Sequence, residues 1–119
     1  MSKFRELHDL AMNWAQEGHL LLRTEDSNAA RVCFQRAAEN ERAAFELLVE
    51  PPSSEPTWTI IAVSVASLYY KAGNCERAIF YARQVLDNPL ARPSSYHRRE
   101  AESIVESCGA MPQEGEVEA

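Results

Sequence analysis

Glycine and proline are scarce, four and six in 119 residues, which excludes collagen-like and low-complexity sequence. Positive charge is not in excess either. Twelve basic residues against 18 acidic ones leave −6, the wrong sign for a non-specific nucleic-acid binder. No long hydrophobic run occurs. The longest uncharged stretch, Pro56 to Tyr70, has 15 residues and several Ser and Thr, against the roughly 20 apolar residues a bilayer span needs, so no membrane partner is expected. Met1 to Glu6 leads into no apolar h-region, so no secretory signal is expected. Cysteine is sparse, odd in number and widely spaced: Cys33, Cys75 and Cys108. That predicts reduced thiols in a cytoplasmic protein rather than a disulfide framework, with Cys33 and Cys75 as small buried apolar residues.

The chemistry-bearing motifs are also missing. There is no Gly-rich phosphate loop, CxxC, HExxH or GxSxG. Carboxylate-bridged metal sites in bundles need Glu-x-x-His, but the residues three before His8, His19 and His97 are Arg5, Gln16 and Ser94. His8 beside Asp9, and His97 one turn from Glu100, read as helix-surface features. His19 has no base, nucleophile or ligand set at useful spacing. The chain therefore reads as no enzyme, with no catalytic residue, no metal and no cofactor.

What is present is helical periodicity. At 45% hydrophobic and 25% charged, the composition suits one soluble domain that buries about two thirds of its unfolded surface. Phe4, Leu7, Ala11, Trp14, Leu21 and Leu22, with Gly18 on the same line, form one helical stripe over 4–22. Thr24 or Asp26 can cap a second helix, from Ser27 to about Val49. Its line is Ala30, Cys33, Phe34, Ala37, Ala38, Ala44, Phe45 and Leu48, and Pro51 and Pro52 stop it. Trp58 to Ala72 is rich in β-branched residues, which prefer strands. Its length, and the line Trp58, Ile61, Ala62, Val65, Leu68, Tyr69 and Ala72, predict helix, and no second strand candidate exists to pair with it. A fourth helix follows Gly73 and Asn74, from Cys75 to about Asp87. A fifth, capped by Ser94 or Ser95, runs to Gly109 on the stripe His97, Ala101, Ile104, Val105 and Cys108. The expectation is all-α, five helices and no sheet. Residues 1–109 form the domain, with hairpins at about 4–49 and 56–88 and a capping helix at 94–108; residues 110–119 form a disordered acidic tail.

An internal repeat emerges at an offset of 48. Residues 14–37 fall on 62–85, pairing Trp14 with Ala62, Gly18 with Ala66, Leu21 with Tyr69, Ala30 with Ala78, Phe34 with Ala82 and Ala37 with Val85. The first copy reads Trp14-x₂-Glu17-Gly18-x₂-Leu21, then Ala30-x₃-Phe34. The second reads Ala62-x₂-Val65-Ala66-x₂-Tyr69, then Ala78-x₃-Ala82, closing at Pro89. Over residues 10–89 this resembles the tetratricopeptide repeat, a helix–turn–helix unit. Glu17 stands where that family prefers Leu, and the spacing exceeds the family's 34 residues. Only two hairpins and a terminal helix are present where stacking normally needs three repeats.

The resemblance implies hairpins stacked as a short right-handed superhelix, with the first helix of each hairpin lining a concave groove. Groove positions then fall on Met12, Ala15, His19, Leu22 and Arg23 in the first copy, and on Ile60, Val63, Ser67, Tyr70 and Lys71 in the second. Ile60, Val63 and Tyr70 lie off the core line of their own helix. Either they pack on the second or fifth helix, or they form an apolar groove for a peptide segment, a partner helix or a second copy of the chain. Arg23 and Lys71 at the rim favour acidic residues in the ligand. Some members of the family clamp a terminal carboxylate with paired Lys, Arg and Asn. The matching places here hold Ala15, His19, Arg23, Ile60 and Ser64, and one arginine cannot make that clamp. A helix-turn-helix reading of Gly73, with Arg77 and Arg83 facing DNA, conflicts with the acidic charge and with Tyr69 and Tyr70. The function expected is a non-catalytic protein-interaction module. The alternative is a self-associating assembly subunit with no separate ligand.

Overall fold

A computed structural model describes residues 2–110. Among these the chain is all-α, with helices α1 (Lys3–Arg23), α2 (Ser27–Phe45), α3 (Thr57–Lys71), α4 (Cys75–Leu86) and α5 (Ser95–Ala110), and no strand. The acidic tail expected at 110–119 lies, from residue 111 onward, outside the described residues, and Ala110 closes α5.

Each start follows from local chemistry. Ser2 Oγ accepts from the Arg5 amide at α1, Asp26 Oδ1 from Ala29 at α2, and Asn74 Oδ1 from Arg77 at α4. Ser94 Oγ does the same for His97 at α5. Pro56 is the N-cap of α3 and has no cap to offer. Glu55 takes over, accepting from both the amide and the hydroxyl of Thr59.

The two hairpin turns repeat one geometry. After α1 the amide of Glu25 donates to Leu22 O and that of Asp26 to Leu21 O; after α3, Gly73 donates to Tyr70 O and Asn74 to Tyr69 O. Both are the paired C-terminal bonds that end a helix through one left-handed residue. That residue is Glu25 (φ 63°) in the first turn and Gly73 (φ 82°) in the second. Every equivalent pair is 48 residues apart, the offset at which the two stretches of sequence align.

Gly18 lies against Phe34, and His8 meets Glu41. Early α1 thus faces late α2, and the pair is antiparallel. Packing then proceeds from α2 to α3, from α3 to α4, and from α5 onto both α3 and α4. Nine of the 15 residues of α3 are buried, among them Trp58, Ile61, Val65, Leu68 and Tyr69. Burial on three sides selects helix there over the strand preference of its β-branched residues.

Two expectations change. The α-helix of α2 ends at Phe45 rather than Val49, because Leu47 and Leu48 form tighter turns onto Ala44 and Phe45 ahead of Pro51. Cys33 is buried and free, but Cys75 is bonded to Cys108, against the expectation of reduced thiols. α5 returns along α4 and brings the two Cα atoms to 5.3 Å, inside bridging range. A separation of 33 residues hides that proximity in the sequence.

Candidate functional face

The first helix of each hairpin supplies the candidate face. On α1, Met12, Ala15, Gln16, His19, Leu20 and Arg23 line a shallow depression of ≈ 450 Å³. They share one side because they recur at helical spacing. The ring of His19 meets the edge of Phe34 at 5.0 Å, centroid to centroid, which fixes it at the wall of the depression. Four of the ten expected groove residues therefore gather here: Met12, Ala15, His19 and Arg23. Gln16 and Leu20 belong with them and were not expected. Leu22 is exposed but does not line the depression.

On α3, Ile60 and Tyr70 are 42% and 41% exposed. Ser67 is half-buried and accepts a hydrogen bond from Lys71 Nζ at 2.9 Å. Val63 is different. It is 2% exposed and shares the buried cluster with Ala101, Ile104 and Cys108 of α5. Val63 is therefore core and offers nothing to a ligand.

Between α1 and α3 lies a polar contact that the periodicity reading passed over. Glu41 of α2 is fully buried. Its carboxylate accepts from His8 Nδ1 at 2.9 and 3.1 Å and from Ser64 Oγ at 2.8 Å. The Nδ1 proton is assigned from its partner, since a carboxylate can only accept. One side chain of α2 thus joins α1 to α3. His8, expected as a surface feature, is 32% exposed and pinned, with its ring parallel to that of Phe4. A sequence signal existed: Ala30, Phe34, Ala37, Glu41 and Ala44 step four, three, four, three, so a carboxylate occupies a core place. A buried charge needs partners of this kind.

Two further clusters lie behind the face. The guanidinium of Arg36 covers the Trp14 ring at 5.2 Å, which hides a tryptophan the stacking of α1 on α2 leaves half-buried. Tyr69, Tyr81 and Phe45 pack at ring separations of 5.9 Å, and Arg77 lies over Tyr69. Burial pushes the Tyr81 hydroxyl above its ordinary pKa. His97 bonds Ser94 rather than Glu100. Among the described residues no group of three or more His, Cys, Asp or Glu could hold a metal ion, and no helix is long and apolar enough to cross a membrane.

Comparison with family models, with curated proteins and with solved structures finds no match to this chain.

Proposed function

We propose that this chain is a non-catalytic interaction module, similar to tetratricopeptide-repeat proteins, that holds a peptide segment or partner helix on the face shared by α1 and α3. The observation that carries the reading is the depression lined by Met12, Ala15, Gln16, His19, Leu20 and Arg23. Met12, Ile60 and Tyr70 supply apolar area to bury. Arg23 and Lys71 close the helices at the same end and favour acidic residues in the ligand. The repeated turn geometry at an offset of 48 supports the family resemblance. Neither nucleic acid nor membrane is a partner in this reading.

The test is selection from a random peptide library on the purified protein, repeated with Met12→Glu and Tyr70→Ala combined. The reading expects enriched peptides that mix apolar and acidic residues and lose at least about tenfold in affinity on the variant, the loss of roughly one hot-spot contact. Peptides that bind the variant unchanged, at retained helicity, end it.

A second reading is self-association. Leu10, Val32, Leu47 and Val49 stand exposed on or just after the first hairpin, the side on which a repeat array would continue. Light scattering over a range of concentrations decides it: a constant monomer mass removes this alternative. A cytoplasmic setting belongs to the proposal. There thiols are kept reduced, and a disulfide is more often regulatory than permanent.

A further inference from the structure

α5 is thinly anchored. Its buried side chains are Ala101, Ile104 and Cys108, with Val105 half-buried. Its outer face, with Arg98, Arg99, Glu102 and Glu106, lies in solvent. One full-sized apolar side chain and three smaller ones must offset the ordering of 16 residues, and a helix of that length is marginal alone in water. No ion pair among the described residues joins α5 to the other helices.

Two ties hold its ends. At the start, the linker is fixed where Arg92 N–H donates to Glu55. In the last turn, Cys108 is bonded to Cys75, the first residue of α4. Beneath α5 lie α3 and α4, and Ala101, Ile104 and Cys108 join the buried core on that side.

We propose that the Cys75–Cys108 disulfide is a redox latch on α5. With the bond whole, α5 is locked onto α3 and α4. Once a dithiol reductant opens the bond, α5 lifts away and uncovers the surfaces of α3 and α4 that it packs on. Cys75 is half-buried and Cys108 fully buried, so the first reductant thiolate attacks Cys75 Sγ. The S–S bond breaks and Cys108 leaves as a thiolate. The second reductant thiol then attacks the mixed disulfide, and Cys75 leaves as a thiolate stabilised by the N-terminus of α4. Two electrons pass to the protein, both cysteines take up protons, and the reductant departs as its own disulfide. The latch stands whether or not the α1 face binds a peptide.

The test uses the full chain with Cys33→Ala, so that only one pair can form. Alkylation and mass measurement expect no reactive thiol after oxidation and two after dithiothreitol. Hydrogen exchange expects amides of 95–110 to lose protection on reduction by roughly 30- to 1000-fold, the range a loop-closing disulfide gives. Amides of α1 and α2 should hold, and an apolar dye should bind the reduced form. Cys75→Ser with Cys108→Ser should behave as the reduced protein in oxidising buffer. Two alkylatable thiols after oxidation overturn the proposal. Unchanged protection of 95–110 also overturns it, because α5 then needs no bond. Loss of protection in α1 and α2 as well overturns it too, because the bond would then hold the whole fold rather than one helix.

Discussion

The two hairpins turn in the same way and differ in how their helices are filled. At the crossing of α1 and α2 a glycine faces a ring: a Cβ on Gly18 would lie 2.9 Å from Phe34. The equivalent places in α3 and α4 hold Ala66 and Ala82, both fully buried. One pair is none-and-large, the other small-and-small. Seven residues past Phe34 the first hairpin carries Glu41 in its core; the second has Pro89 there and its helix has already ended. The turns thus match while the side-chain volume and polarity at positions 48 residues apart vary.

Exchanging the filling gives the sharpest break of that comparison. Phe34→Ala should cost about 3–5 kcal/mol, as a buried aromatic leaves a cavity. Gly18→Ala in the native background should cost about 1–3 kcal/mol, because its methyl group drives into the Phe34 ring. On top of Phe34→Ala the same change should reverse sign and stabilise by about 1 kcal/mol, since alanine outranks glycine inside a helix and its methyl refills part of the space. Denaturant titration of the four proteins measures the cycle. A Gly18→Ala effect independent of residue 34 would show that the two hairpins do not interchange volume at this crossing.

The polar contact is the next largest difference. His8→Leu leaves the Glu41 carboxylate buried with Ser64 alone and should cost about 2–3 kcal/mol. Ser64→Ala should cost about 1 kcal/mol. Adding Glu41→Leu to His8→Leu should recover most of the loss, because an apolar pair of similar volume carries no desolvation penalty. Failure of that rescue would mean that Glu41 is held for a reason other than pairing.

The residues that were legible in the sequence are those whose role is local. The stripe of α1, the caps Asp26 and Ser94 (each read beside one alternative) and the break at Gly73 and Asn74 all follow from neighbours within a few positions. Trp58 to Ala72 was legible as helix from its length, its single helical line and the lack of a strand to pair with. The candidate site was legible only in part. Met12, Ala15, His19 and Arg23 share a face of one helix, which periodicity shows. The burial of Val63 needed the packing of several helices, the Cys75–Cys108 bond needed α5 to run back along α4, and His8 with Glu41 and Ser64 needed three helices at once. Contacts between elements depend on packing angles, which hydrophobic spacing does not encode.

The turns offer a smaller test in which the hairpins should respond in opposite directions. Gly73→Ala places a Cβ in the left-handed region and should cost about 1–2 kcal/mol. Space does not limit it, since the nearest atoms, on Arg31, are 3.8 Å away. Glu25→Gly removes that strain from the first turn but enlarges the freedom of the unfolded chain, so a net gain of about 0.5 kcal/mol is expected. Thermal melting of both variants suffices. Equal and same-signed shifts would show that the two turns are not equivalent.

The smallest expected effect separates the hairpins by pH. α1 begins on Ser2, a cap that does not titrate, whereas α3 depends on Glu55. Burial alone would push the Glu55 carboxyl up. Hydrogen bonds from the Thr59 hydroxyl and from the Arg92 and Thr59 amides outweigh it and hold the group below its ordinary value. A native pKa lowered in this way contributes stability above the ordinary carboxylate value, and that contribution fades as pH falls through the native one. Acid should therefore loosen the start of α3 and the linker at Arg92 before it touches α1. Glu55→Gln should lower stability at neutral pH and flatten the acid limb of the stability curve. Exchange of the Thr59 and Arg92 amides, followed against that of Arg5 from pH 6 to about 3, spans the interval in which a carboxylate loses its charge. If all three amides quicken together, the acid response belongs to the whole domain and not to the second hairpin.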